Sequence, residues 1–205
     1  MKILIDIGHP AHVHYFKNLI NILKKKNNEF LIIARDKDLT HQLLDQYNIK
    51  YISRGKGGKN VLWKLLYLFY ANYKILISAI KFQPDIFVSF ASIYAAQVST
   101  ILQKPHITFT DTEHAIIANM GLVPFSTFIV TPKSFKRNFG KKHKRFDGFF
   151  ELCYLKPNYF KPDRSVLQML NINSNEKFII IRFVSWGASH DLGLSGMNIN
   201  LKRRL

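Results

Sequence analysis

Acidic residues are scarce in this chain: 13 Asp and Glu face 30 Lys and Arg across 205 residues, giving a formal net charge of +17. An excess of that size implies a polyanionic neighbour, whether an acidic membrane surface, nucleic acid or a phosphate-bearing substrate. Cysteine is scarcer still. The single Cys153 excludes an internal disulfide and any cysteine zinc cluster, and it fits a reducing cytoplasm. No signal peptide is expected, because Asp6, His9 and His12 interrupt the early apolar run. No internal repeat or low-complexity tract is present, and no helix-turn-helix, RNA-recognition or zinc-finger pattern, so nucleic acid ranks last among partners. The basic loop Gly55-Lys56-Gly57-Gly58-Lys59 lacks the Gly-Lys-Ser/Thr ending of a phosphate loop.

What the sequence does have is an ordered alternation of apolar runs. Ile3-Leu4-Ile5-Asp6-Ile7 has no solvent face and reads as a strand buried on both sides. Gly8 supplies a sharp turn, Pro10 suits a first helical position, and Val13, Phe16, Ile20 and Leu23 recur on one helical face to about Lys26. Further strands are predicted over 30–34, 50–53, 86–90, 106–110 and 128–131, with helices over 39–47, 61–82 and 93–102. A basic segment with Lys133, Lys136, Arg137, Lys141, Lys142, Lys144 and Arg145 follows. A short helix is expected over 165–170 and a new buried strand over 177–183. Strands alternating with helices predict an α/β fold, a Rossmann-like doubly wound parallel sheet. The predicted organisation is one such domain over 1–147, a proline-bearing linker over 148–176, and the start of a second Rossmann-like domain over 177–205, too short to be completed.

The helix over 61–82 is nearly long enough to cross a membrane. Lys64, Tyr67, Ala71, Lys74, Ser78 and Lys81 make a narrow polar stripe, and lysines in mid-span are expensive. It is therefore expected to lay its wide apolar face on the sheet, with two alternatives left open: burial in the protein alone, or contact with lipid as well.

In parallel sheets ligands bind beyond the carboxyl ends of the strands. The polar residues predicted there are Gly8-His9, Arg35-Asp36, Ser92, and Asp111 with Glu113 and His114. Two carboxylates and an imidazole within four residues could supply a general base and its partner, or hold a sugar hydroxyl. The bland alternative is a helix-capping Asp111 and a solvated Glu113. His9 is a candidate anion or hydroxyl contact, with His12 and His14 weaker candidates. These three histidines diverge on turn and helix, which argues against a metal site. Arg182, Ser185, Trp186, His190 and Asp191 form a second cluster, able to pair with a phosphate and stack on a ring, or to serve as interface contacts.

The combination Asp6-Ile7-Gly8-His9-Pro10-Ala11-His12-Val13-His14, Ala34-Arg35-Asp36-Lys37-Asp38, Phe109-Thr110-Asp111-Thr112-Glu113-His114 and Arg182-Phe183-Val184-Ser185-Trp186 with Ser189-His190-Asp191 resembles a family known as a domain of unknown function. That family is grouped with the two-domain GT-B glycosyltransferases. More distantly, the first turn is similar to the Gly-Gly-His loop of MurG-like transferases. The carboxylate after the fifth strand is similar in position to that of UDP-N-acetylglucosamine 2-epimerases. The resemblance implies an N-terminal acceptor domain and a C-terminal domain binding a nucleotide-sugar donor, with no cofactor and no metal. It implies His9, Asp111 and Glu113 as catalytic residues. Gly8, His12, Arg35, Ser92, His114, Arg182, Ser185 and His190 would bind substrate.

The function so implied is transfer of a sugar from a nucleotide-sugar to a lipid-linked or phosphorylated surface-glycan acceptor. The chain would be cytoplasmic and peripheral on the inner face of an acidic membrane. Lacking most of the donor domain, it is expected to be inactive alone. The alternatives are a UDP-sugar 2-epimerase-like enzyme and a non-catalytic basic module binding acidic membrane surfaces.

Overall fold

Ile3, Leu4, Ile5, Asp6 and Ile7 are all buried, as an apolar run without a solvent face requires. They form strand β1 (Lys2–Ile7), an interior strand of a seven-stranded, all-parallel sheet, paired on both sides. The computed structural model describes residues 1–58, 60–113, 116–173, 175–183 and 196–203. These fall into two compact units, Met1–Phe160 and Lys161–Leu205.

In the first unit, β1 is followed by α1 (Pro10–Lys24), β2 (Glu29–Ala34), α2 (Thr40–Gln46), β3 (Ile52–Ser53) and α3 (Val61–Phe82). Then come β4 (Ile86–Phe90), α4 (Ile93–Ile101), β5 (His106–Phe109), α5 (Ile116–Leu122), β6 (Phe128–Pro132), β7 (His143–Phe146) and α6 (Leu152–Leu155). The strand order is β3-β2-β1-β4-β5-β6-β7. The chain reverses direction across the sheet between β1 and β4, the crevice where such folds bind ligands.

Alternation along β1 divides the core. Ile3, Ile5 and Ile7 pack with Val13, Phe16 and Ile20 of α1 on one face. Leu4 packs with Ile75 and Ala79 of α3 and with Ala95 and Val98 of α4 on the other. Period-two geometry puts Asp6 on that second face too, under α3 and α4.

Most strand positions fall where the apolar runs predict them. β7 does not: its segment is basic, and Lys144 and Arg145 are exposed along the sheet's outer edge. α3 corrects a second expectation. Asn60 caps its start, accepting from the Trp63 N–H at 2.9 Å, and Gln83 ends it in a left-handed conformation before Pro84. The residues facing the sheet are Tyr67, Ala71, Ile75 and Ala79, two of them from the stripe expected to face water. Of the wide apolar face, Ile75 is buried on the sheet, while Leu65, Leu66, Phe69 and Ile80 are exposed on the side away from it. Small residues win the inner position because they let the helix approach the strands closely.

The stretch expected as a linker begins inside the first unit: Phe150 is a core residue, and Asn18 Nδ2 donates to the Cys153 carbonyl at 2.7 Å. The second unit contains α7 (Ser165–Met169) and α8 (Ile199–Lys202). Residues 177–183, expected as a buried strand, are exposed there and form no strand. Among the described residues of that unit no neighbouring strand exists to pair with them.

Candidate functional site

The carboxyl end of β1 is built on a buried ion pair. Arg54, immediately after β3, reaches back so that its Nε donates to Asp6 Oδ1 at 2.8 Å and its Nη2 to Oδ2 at 3.3 Å. Both side chains are at most 2% exposed. Ser92 Oγ donates to Asp6 Oδ2 at 2.5 Å, Tyr67 bonds Arg54 Nη1 at 2.5 Å, and the Tyr94 ring lies 4.7 Å from the guanidinium carbon. Burial would lower the Arg54 pKa, but the Asp6 charge with its neighbours more than reverses this, so the guanidinium stays charged.

Gly8 turns directly above this pair. A Cβ there would sit 3.5 Å from Arg54 Nη2 and 3.8 Å from His12 Cε1. The Gly8 N–H donates to His12 Nδ1 at 3.2 Å, which places the remaining His12 proton on Nε2. Burial, reinforced by His9, Lys37 and Arg54, lowers the His12 pKa to about 3, so this imidazole is neutral. His9 is the N-cap of α1: its Nδ1 accepts from the Ala11 N–H at 3.2 Å. That leaves His9 Nε2–H as an exposed donor at the rim of the crevice. Burial and then Lys37 lower its pKa, against the opposing charge of Asp38.

Asp111 and Glu113 lie two strands away, beyond β5, at about 10 Å by strand spacing. Asp111 Oδ1 accepts from Thr112 Oγ1 at 3.0 Å, and Glu113 Oε1 accepts from the Lys136 backbone N–H at 2.9 Å. With Phe135, Phe149, Phe150 and Glu151 they line a recess of about 150 Å³. A relay of rings joins this recess to the β1 turn. Phe150 lies 4.9 Å from Phe90, and Phe90 lies 4.9 Å from His12. Tyr15 lies tilted beside both phenylalanines, and burial with the charges of Asp111 and Glu151 pushes its phenol up to about 12. The edge therefore offers neutral N–H and O–H donors at one end and carboxylate acceptors at the other.

The structure thus brings Gly8 and His9 of the turn together with His12 of the first turn of α1, with Asp111 and Glu113 further along the same edge. Arg35 follows β2; its guanidinium sits over the Tyr67 ring at 5.8 Å, and its buried Nε has no hydrogen-bond partner among the described residues. Ser92 is buried, with its hydroxyl spent on Asp6 and on capping α4 through the Ala95 N–H. Arg182 is exposed in the second unit. His114, Ser185 and His190 lie outside the described residues. Sequence reasoning missed Arg54, Tyr67, Tyr94 and Tyr15. A signal for the first was present: a carboxylate within a doubly buried strand demands a cationic partner.

The chain belongs to the family described as a protein of unknown function, DUF354, whose pattern matches residues 1–194. It is 29% identical over 194 residues to the uncharacterized protein MJ0665 of Methanocaldococcus jannaschii, covering 89% of this chain and 56% of that one. Its fold is similar to the UDP-GlcNAc 2-epimerase of the same organism, solved in complex with UDP-GlcNAc and UDP. There the TM-score is 0.61 at 16% identity, over 83% of this chain and 53% of that one. It is also similar to MurG of Acinetobacter baumannii, with a TM-score of 0.59 at 11% identity over 70% and 45% of the two chains. The chain therefore spans about half the length of the relatives it matches. The expected Rossmann-like fold is shown, and with it the likeness in fold to MurG and to a UDP-GlcNAc 2-epimerase.

Proposed function

We propose that the edge formed by β1, β4 and β5 is the acceptor side of a sugar-nucleotide-dependent glycosyltransferase acting on a lipid-linked or phosphorylated glycan. The carrying observation is the placement of the His9 Nε2–H donor and the Asp111 and Glu113 carboxylates along one edge, joined by an aromatic wall. Aromatic faces with carboxylates suit a sugar ring: the rings cover its C–H face while the carboxylates accept from its hydroxyls.

In this reading an acceptor hydroxyl attacks the anomeric carbon of the donor. The bond from that carbon to the diphosphate oxygen breaks, and Asp111 takes the hydroxyl proton. His9 donates to an oxygen of the donor beside the helix N-terminus. Glu113, fixed by the Lys136 N–H, orients the acceptor. Arg35 and Arg182 are proposed to meet phosphate, with His114, Ser185 and His190 as further substrate contacts. Residues from 177 onward are proposed as donor-side.

A second reading rests on structural neighbours described as UDP-GlcNAc 2-epimerases. In it the same edge epimerises a UDP-sugar without an acceptor. One assay separates the two. A form of the chain extended through a complete donor-side domain is incubated with UDP-sugars, with and without a lipid-phosphate glycan acceptor, and both UDP release and the sugar configuration are followed. Acceptor-dependent UDP release that falls by about 10²–10⁴-fold in Asp111→Asn supports transfer. Sugar inversion without acceptor replaces it with epimerisation. Absence of turnover, together with no thermal shift on adding UDP or a UDP-sugar, removes both.

A further inference from the structure

α3 carries two apolar faces, and the sheet uses one. Tyr67, Ala71, Ile75 and Ala79 are buried on β1 and its neighbours. On the opposite side Leu62, Leu65, Leu66, Phe69, Tyr73 and Ile77 recur at helical spacing, and every one of them is exposed, Phe69 at 65%. Over Leu62–Phe82 the helix is long and apolar enough to cross a membrane, yet only 22% of that stretch is buried. An exposed apolar stripe of this length on a folded domain marks an interaction surface. Because its other flank is packed on the sheet, the helix can meet a partner only side-on.

The charges around the stripe select the partner. Residues 54–84 contain no Asp or Glu, while Lys56, Lys59, Lys64, Lys74 and Lys81 accompany the apolar run. Lys64 and Lys81 are exposed, and the Lys56 side chain is 82% exposed despite its loose pairing with Asp36 at 3.8 Å. A second copy docking here by two-fold symmetry would bring one basic segment against another, with no carboxylate in either segment to receive the lysines. An anionic bilayer reverses that penalty: headgroup phosphates take the lysines and acyl chains take the leucines and Phe69. Trp63, Tyr70 and Tyr73, exposed at 60, 45 and 60%, supply the amphipathic rings that settle at the headgroup level.

We infer that α3 is a monotopic docking helix. It lies in the plane of an anionic bilayer, with the Leu62–Ile77 stripe entering the acyl boundary and the lysines on the phosphates. At its amino-terminal end the stripe passes into a cavity of about 500 Å³, lined by Lys56, Gly57, Gly58, Trp63, Leu66, Tyr67 and Tyr70. Tyr67 at its floor is the residue that holds Arg54 under the Gly8 turn. Docking in this orientation would put the catalytic edge next to the headgroups. The inference does not depend on which reaction that edge performs.

The test is flotation of the protein with vesicles of phosphatidylcholine alone and of phosphatidylcholine mixed equally with phosphatidylglycerol. It is run beside the variants Phe69→Glu and Lys64→Glu/Lys81→Glu, with circular dichroism to confirm folding. All three substitutions fall on exposed side chains. The expected result is partition onto mixed vesicles that exceeds that onto phosphatidylcholine. It should drop about tenfold or more in Phe69→Glu, and drop in the double variant as well. Failure to float with mixed vesicles overturns the inference. So does binding that Phe69→Glu leaves intact, which would be adsorption by charge alone. A dimer in analytical ultracentrifugation that Phe69→Glu dissolves would assign the face to a second copy instead.

Discussion

Asp6 and Arg54 stand 48 positions apart in the chain and meet at 2.8 Å beneath the turn that carries His9. The pair joins β1 to the end of β3, and through Ser92 and Tyr67 it also joins α4 and α3. Removing one partner leaves the other charged and buried. Arg54→Met is therefore expected to destabilise the first unit by about 3–5 kcal/mol in urea unfolding. The double variant Asp6→Asn/Arg54→Met should lose less than the sum of the single losses, because no charge is then stranded.

His9 has two separable duties. As N-cap it satisfies the Ala11 N–H, and His9→Ala should lower stability by about 1 kcal/mol. His9→Asn supplies a replacement oxygen and should restore that stability. If Nε2–H is a substrate donor, both variants lose turnover alike, so activity and unfolding measured side by side separate the roles.

His12 and His106 are both held neutral by burial, with pKa values of about 3 against an ordinary 6.5. Their unfolded forms bind protons that the folded forms refuse. The stability they confer is complete above pH 6.5 and declines as the pH falls toward about 3. Each contributes a slope of about 1.4 kcal/mol per pH unit in that window. His106→Gln should flatten the dependence of melting temperature on pH below 6.5, compared with the parent.

Gly57 and Gly58 are adjacent but unequal. A Cβ on Gly58 would collide with the Trp63 backbone, in the first turn of α3. Gly58→Ala is expected to cost about 1–3 kcal/mol. A Cβ on Gly57 would meet the end of the Arg35 side chain, which can swing aside, so Gly57→Ala should cost less. Paired denaturation curves decide the order.

The sheet was legible in the sequence because β1, β2, β4, β5 and β6 are apolar runs bounded by turn residues, and burial on both faces leaves that signature. β7 was not legible: it is a cationic edge strand, His-Lys-Arg-Phe, that owes its place to pairing with β6 rather than to its own pattern. α3 was placed correctly but facing the wrong way. With apolar side chains on both sides, periodicity gives an axis and no direction, and the small residues Ala71 and Ala79 decide the contact. Along the candidate site, His9, Asp111 and Glu113 could be found because they end strands. Arg54 follows the two-residue β3, and Tyr15 sits mid-helix, so only the folded chain shows what they touch.

The two rims of the sheet have a consequence for crowding. An open parallel sheet displays unpaired backbone groups along its outermost strands, a template for runaway strand exchange between neighbours. Here one rim, β3, is only two residues long, and the other, β7, raises Lys144 and Arg145 against any approaching copy of itself. Molecules gathered at high local density can thus lie shoulder to shoulder without growing into fibrils.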